Sequence, residues 1–349
     1  MLKSRKNRII ILVIMALLIF VGCSLEEFGN QIKSFIYLEY EESANKGDHL
    51  SQVELGILNY YGDGCEQSYE KAFEWFTKAA NNGNAEGQYW LGTLYLYGEG
   101  CDMDYDEAYK WLKLSAEQEY AEGQDAFGNL YYFGEGCEQD YVEALKWFEL
   151  SAEQGSANGQ FDLAYSCYYG EGCDIDYDKA YKYFYKAAGQ GHSYGQYWLG
   201  ELYFFGEGCD KDYKEAVRWY EKSAVQQDPY GQYGLGYMYL EGLGCKQDYK
   251  GAYDLFEASA LADNFYGQYY LGYMHYFGYA CEINYDRAFE LMEKSAKQDY
   301  APAQYFLSCM YSNGEGCKLD SDIALEWLNK AADNGNLDAI EDLKEINNN

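Results

Sequence analysis

Gly98-Glu99-Gly100-Cys101 returns 36 residues later as Gly134-Glu135-Gly136-Cys137, and this phrase decides the fold. Its cysteine recurs at Cys65, Cys101, Cys137, Cys173, Cys209, Cys245, Cys281 and Cys317 without a slip in spacing. A fixed period of this length marks stacked supersecondary units, each covering the apolar face of its neighbour. It favours binding over catalysis.

One period shows the unit. Over Ala85–Tyr97, Leu91, Leu94 and Tyr95 fall three to four residues apart, which predicts a first helix, A. Gly98 to Met103 reads as the turn, because glycine enters positive φ without steric cost. Asp104 and Glu107 have capping-box spacing and open a second helix, B, with Ala108, Trp111, Leu112 and Ala116 on one stripe. Each unit is therefore a helical hairpin. A glutamine recurs in every helix A, from Gln52 and Gln88 to Gln304, and two alanines recur in every helix B. Glycine inside helix A, as at Gly123 and Gly128, costs about 1 kcal/mol against alanine and implies close helix contact. Pro229 and Pro302 fall in first turns, where proline is tolerated.

The pattern Ala-x-Gly-Gln-x-x-Leu-Gly-x-x-Tyr, then Gly-x-Gly, Asp-x-x-x-Ala and a Ser/Ala-Ala pair resembles the Sel-1-like repeat, a relative of tetratricopeptide repeats. The resemblance covers His49 to Asn336. It implies an all-α, right-handed α/α solenoid superhelix of about eight 36-residue hairpins that serves as a scaffold or adaptor for other proteins. The family commonly has valine where this chain has the recurring cysteine. Residues 337–349, with Ile340, Leu343 and Ile346, read as a capping helix and tail. Residues 23–48 read as a tether and a leading helix.

Residues 1–22 stand outside the array. Lys3, Arg5, Lys6 and Arg8 precede an unbroken apolar run from Ile9 to Val21, too short to span a bilayer and suited to a signal-peptide core. Phe20-Val21-Gly22-Cys23 resembles a bacterial lipobox, which implies lipidation at Cys23 and a membrane-anchored lipoprotein of the cell envelope, periplasmic or surface-exposed. Phe20 departs from the usual leucine, and an uncleaved anchor is the alternative.

The formal charge of −32 disfavours nucleic acid as a partner and favours basic ones. Forty-two tyrosines are too many for a disordered acidic tail. Equivalent cysteines advance about 10 Å per hairpin, beyond disulfide reach, and their spacing does not suit zinc. The reading is an apolar thiol in a buried turn. Cys167–Cys173 and Cys309–Cys317 are the two pairs that could bridge. Three histidines, His49, His192 and His275, share no phase; His192 reads as a loop residue and His275 as core. Asp102 to Asp106 resembles the start of a calcium loop but lacks its later residues. Nothing singles out a carboxylate pair, so the chain reads as no enzyme, with no metal and no cofactor.

The remaining clue is variation between units. The fifth, sixth, ninth and twelfth places of helix A make one stripe: Tyr89, Trp90, Thr93 and Leu96 in the second unit, Tyr197, Trp198, Glu201 and Phe204 in the fifth. The seventh has Tyr269, Tyr270, Tyr273 and Tyr276; the sixth opens with Tyr233; the third has Asp125, Ala126, Asn129 and Tyr132. Core positions should recur and an exposed groove is free to differ. Tyr89, Trp90, Tyr197, Trp198, Tyr233, Tyr269, Tyr270 and Tyr273 are therefore the expected contacts for a protein or peptide segment, possibly basic, in an aromatic, acidic groove. A carbohydrate or cell-wall glycan, which also stacks on aromatic rings, is the alternative ligand; a bare surface spacer is the alternative role.

Overall fold

The computed structural model describes residues 25–348, and all of its regular structure is helical. The expected leader and the Cys23 lipid site lie outside the described residues. The chain forms two compact units, the first ending at Asp174 and the second beginning at Ile175.

The first unit runs α1 (Leu25–Asn45), α2 (His49–Tyr61), α3 (Tyr69–Asn81), α4 (Ala85–Tyr97), α5 (Tyr105–Glu117), α6 (Ala121–Phe133), α7 (Tyr141–Gln154) and α8 (Ala157–Tyr169). The second runs α9 (Tyr177–Gly189), α10 (Ser193–Phe205), α11 (Tyr213–Val225), α12 (Pro229–Glu241), α13 (Tyr249–Leu261), α14 (Phe265–Phe277), α15 (Tyr285–Ala296), α16 (Ala301–Asn313), α17 (Ser321–Asp333) and α18 (Leu337–Asn348). Within each unit consecutive helices pack in series as antiparallel hairpins, giving the all-α solenoid architecture. Within each unit successive A helices also touch one another (α4 with α6, α10 with α12), so they sit close together along one face.

The helix starts follow from their caps. Asp104 Oδ1 accepts from the N–H groups of Asp106 and Glu107, both at 3.0 Å. Glu107 does not close the expected box. Its carboxylate instead accepts the Trp111 indole N–H at 2.9 Å, and Glu143 does the same for Trp147 at 3.2 Å. The exposed end of helix A stops at Gly98, where φ is 69° and the N–H donates to the Leu94 carbonyl. Two residues on, Gly100 is needed twice over: its φ is 73°, and a Cβ there would stand 2.3 Å from the Tyr69 carbonyl oxygen of the preceding repeat.

The recurring residues hold neighbours together. Gln88 Nε2 donates to the Ala80 carbonyl behind it at 3.3 Å, and Gln118 ahead donates to Gln88 Oε1 at 2.6 Å. The same amide ladder runs through Gln52, Gln124, Gln196 and Gln304. Ser115 Oγ donates to the Ala85 carbonyl at 2.7 Å, and its Oγ would be 2.2 Å from a Cβ at Gly123. That approach explains glycine within helix A. Fully buried side chains such as Leu112, Phe148 and Phe184 complete the seam, each contributing about 2 kcal/mol through burial.

Both ends of the array are half repeats in register. Helix α1 fills the place of a preceding helix B: Ala44 receives Gln52 Nε2 at 3.2 Å as Ala80 receives Gln88, and a Cβ at Gly64 would meet the Lys33 backbone at 2.6 Å. The helix begins at Leu25, within the stretch read as tether. Helix α18 is the helix A of a ninth repeat, packing Ala339 and Leu343 on Leu328, Ala331 and Tyr305, while Ile346 is exposed.

Candidate partner-binding surface

The variable stripe of helix A is largely a packing surface. Tyr197 and Trp198 are buried, and Trp198 stacks on Phe184 of the preceding helix with centroids 5.7 Å apart. Trp90 stacks on Phe76 at 5.3 Å, and Tyr270 on Phe256 at 5.2 Å. Tyr89 sits edge-on to Trp90, and Tyr233 stacks on Tyr266 at 4.4 Å. Tyr269 and Tyr273 are half-buried against Phe306. At the twelfth place, the hydroxyls of Tyr132 and Tyr276 donate to the turn glutamates Glu171 and Glu315, 39 residues ahead. The expectation that variable places are exposed therefore needs correction. The sixth place packs on a phenylalanine of the preceding helix B, while other places meet the next helix A or its turn.

The exposed aromatics lie one residue further, at the last place of helix A. Tyr61, Tyr97, Phe133 and Tyr169 are 48–67% exposed in the first unit, at one register. Phe205 and Phe277 hold that place in the second unit, also exposed. The row recurs in most units, as core positions do, yet it faces solvent. Its place beside the capping glycine, where the helix ends, is the signal in the sequence for that exposure.

Carboxyl groups line the same helices. In the first unit Glu86 is held above the usual carboxylate range by burial, with Glu54 and Glu122 adding repulsion. Farther along, Asp125 of α6 meets Asp162 of α8, and Asn129 Nδ2 donates to Asp162 Oδ2 at 3.0 Å. Burial first, and then Asp162, drive the Asp125 carboxyl far upward; Asp162 is pushed up to about 6 by burial. In the second unit burial pushes Glu201 up to about 7, while hydrogen bonds from Tyr220 and Tyr197 pull the other way.

The turn cysteines are half-exposed rather than buried, and they donate. Cys65, Cys101, Cys137 and Cys245 each direct Sγ at the carbonyl seven residues back, at 3.4–3.6 Å. Those carbonyls belong to the last turn of helix A and already accept the N–H of the capping glycine. A thiol offers a weak donor there that valine lacks. Cys309 and Cys317 are separate thiols, and Cys317 donates to the Met310 carbonyl at 3.5 Å. Cys167 is buried, while Cys173 points at the Ser166 carbonyl at 3.9 Å.

The histidines have separate local tasks. His192 is the N-cap of α10, its Nδ1 accepting the Gly195 N–H at 2.9 Å. Half-buried His275 takes a place held elsewhere by tyrosine and meets the Tyr253 hydroxyl at 3.3 Å, where Tyr109 and Tyr131 pair at 3.0 Å. Among the described residues no three His, Cys, Asp or Glu side chains converge as metal ligands. No helix among them is long and apolar enough to cross a membrane.

Hairpins in series joined by an amide ladder define a helical-repeat protein. The chain belongs to the Sel1 repeat family, whose model matches residues 49–84, 85–120, 121–156, 157–192, 193–228, 229–264, 266–300 and 301–336. Sel1 repeat proteins are generally protein-interaction scaffolds and typically non-catalytic. The chain is similar to c5321, a protective antigen of uropathogenic Escherichia coli with this repeat fold: 34% identity, TM-score 0.63, over 89% of this chain and 67% of that one. A Sel1 repeat protein of Oxalobacter formigenes is 28% identical over 90% of this chain and 93% of its own, with TM-score 0.57. The APC/C hetero-tetramer Cut9–Hcn1 shares the fold at 17% identity and TM-score 0.53, over 85% of this chain and 55% of that one. No curated protein matches the chain.

Proposed function

We propose that the chain is a scaffold that holds a basic peptide or protein segment along its A helices and works tethered at the cell envelope through a lipidated Cys23. The observation that carries the binding part is the exposed row Tyr61, Tyr97, Phe133 and Tyr169, set at a constant register beside the turns, where the Glu135 and Glu99 carboxylates bear on Tyr97. Tyrosine and phenylalanine give large contact area for little lost rotamer freedom. The carboxyls select for positive charge. Binding of a lysine- and arginine-rich peptide should weaken steeply between 50 and 500 mM salt, on the order of tenfold, because exposed charges are screened. Alanine at Tyr97 and Phe133 together should weaken it further. Salt-independent binding of a glycan oligomer instead would favour the carbohydrate reading. For the tether, Cys23→Ser should move the protein from the membrane fraction to the soluble one; unchanged fractionation would remove lipidation from the account.

A further inference from the structure

Three residues of the second unit depart from the repeat pattern, and they meet at one cavity. Glu201 holds the ninth place of its helix A, where the other units have Ile57, Thr93, Asn129, Tyr165, Tyr237, Tyr273 and Cys309. Tyr220 stands in helix B where the others have phenylalanine, leucine or methionine, and its added hydroxyl donates to Glu201 Oε1. Gly234 replaces the bulky ring that Trp90, Trp198, Tyr270 and Phe306 supply at the sixth place. A Cβ on Gly234 would stand 2.7 Å from the Tyr220 ring. The glycine thus admits the tyrosine, and the tyrosine holds the acid. The result is a cavity of about 250 Å³ with Glu201 in its wall and aromatic rings from α10, α12 and α14 around it.

Within the array Glu201 accepts the buried Tyr220 hydroxyl, a bond that leaves the charge of its carboxylate unbalanced. Among the described residues no lysine or arginine pairs with Glu201; the charge that bears on it is the Glu207 carboxylate. We propose that this cavity receives the ammonium group of a lysine side chain from the bound segment, with the Glu201 carboxylate as counter-ion and the rings of Phe204, Tyr233, Tyr237 and Tyr270 as walls. The proposal rests on the reading above that the A-helix face takes a basic segment. Ring faces attract cations, and the attraction grows when the cation is desolvated. Lysine fits better than arginine. The Tyr220 and Tyr197 hydroxyls already crowd the carboxylate, which disfavours a planar guanidinium fork needing both oxygens in its plane against a compact ammonium that needs one.

The site should be a pH-gated one. Facing Glu201 are Tyr197 and Glu207 from α10 and its turn, Tyr220 from α11, Tyr233 from α12, and Tyr266 from α14. Glu241 lies beyond, against Tyr237 and Tyr270. Burial raises all of those tyrosines above their ordinary range, so they stay protonated between pH 6 and 8. Glu201, pushed up to about 7, is the facing group that changes charge. The carboxylate fraction, and with it affinity for an amine, should rise about tenfold from pH 6 to pH 8.

The test titrates the full chain with n-butylammonium, n-butylguanidinium and n-butanol by ligand-observed NMR. Butylammonium should bind best and gain about tenfold between pH 6 and 8. Glu201→Gln should remove that gain and leave butanol unchanged. Tyr237→Ala, at the half-buried wall, should weaken butylammonium more than butanol. Butylammonium binding that is absent, pH-independent or unaltered in Glu201→Gln would overturn the proposal. A basic peptide that still binds in that case leaves the scaffold reading standing; amine binding without peptide binding does the reverse.

Discussion

Gln118 donates its side-chain amide to Gln88 at 2.6 Å across 30 residues, and Gln88 passes its own amide on to Ala80. Each glutamine is thereby donor to the repeat behind and acceptor from the end of helix B in its own repeat, in a buried setting where an unmade bond is costly. Gln88→Leu removes one donor from the Ala80 carbonyl and one acceptor from the Gln118 amide, which keep the Gly83 N–H and the Leu114 carbonyl as partners. It should destabilise by about 1 kcal/mol in urea unfolding. A double-mutant cycle with Gln118→Ala should give a coupling of about 1 kcal/mol, and additive losses would show the ladder to be incidental.

Trp90 and Tyr97 separate packing from surface. Trp90→Ala removes a ring stacked on Phe76 and should cost about 3 kcal/mol. Tyr97→Ala, at 67% exposure, should change stability by less than about 0.5 kcal/mol. Chemical denaturation of both variants checks the assignment of the exposed row.

Ala280 occupies the turn place that the seven other repeats give to glycine in the left-handed region, and its φ is 60°. Relief of that conformation outweighs the entropy glycine adds to the unfolded chain. Ala280→Gly should stabilise by about 0.5–1 kcal/mol, read as a rise in the unfolding midpoint.

Asp125 gives a pH signature. Its folded carboxyl titrates above its unfolded value, so the native state keeps a proton that the unfolded chain has released. The associated stability is fully present below about pH 4 and is lost as pH rises through the folded value. Asp125→Asn cannot ionise and should match the parent near pH 4 but exceed it by about 2 kcal/mol at pH 8. Equal stabilities at pH 8 would place the carboxyl in water.

The turn thiols should be sluggish. Burial raises the Cys101, Cys137 and Cys245 thiols above the ordinary value, and nearby carboxylates add to it. At pH 8 the native protein should alkylate at these sites well below the rate seen in denaturant, as followed by mass spectrometry.

Periodicity made the architecture readable. Leu91 and Leu94 on one face, Asp104 before helix B and Gly98 after helix A specify a hairpin from local chemistry alone. The surface was harder. Trp90 lies at a variable place yet packs, while Tyr97 lies at a recurring one yet is exposed, so variation between repeats does not report exposure to solvent. The meeting of Glu201, Tyr220 and Gly234 was also out of reach, since helix A, helix B and the next helix A must be folded before those places adjoin. Even so, each was visible as a departure from its column.

The second turn glycine has one more consequence. Gly100 rests against the Tyr69 carbonyl, and Gly136 against that of Tyr105. These are contacts of main chain on main chain, with no side chain between them to yield. A residue inserted in one loop could not be absorbed at the surface, as in most loops, but would push the preceding repeat off its seat. Length itself is thus under mechanical proofreading from each repeat to the next, and the metronomic spacing of the eight cysteines is its record.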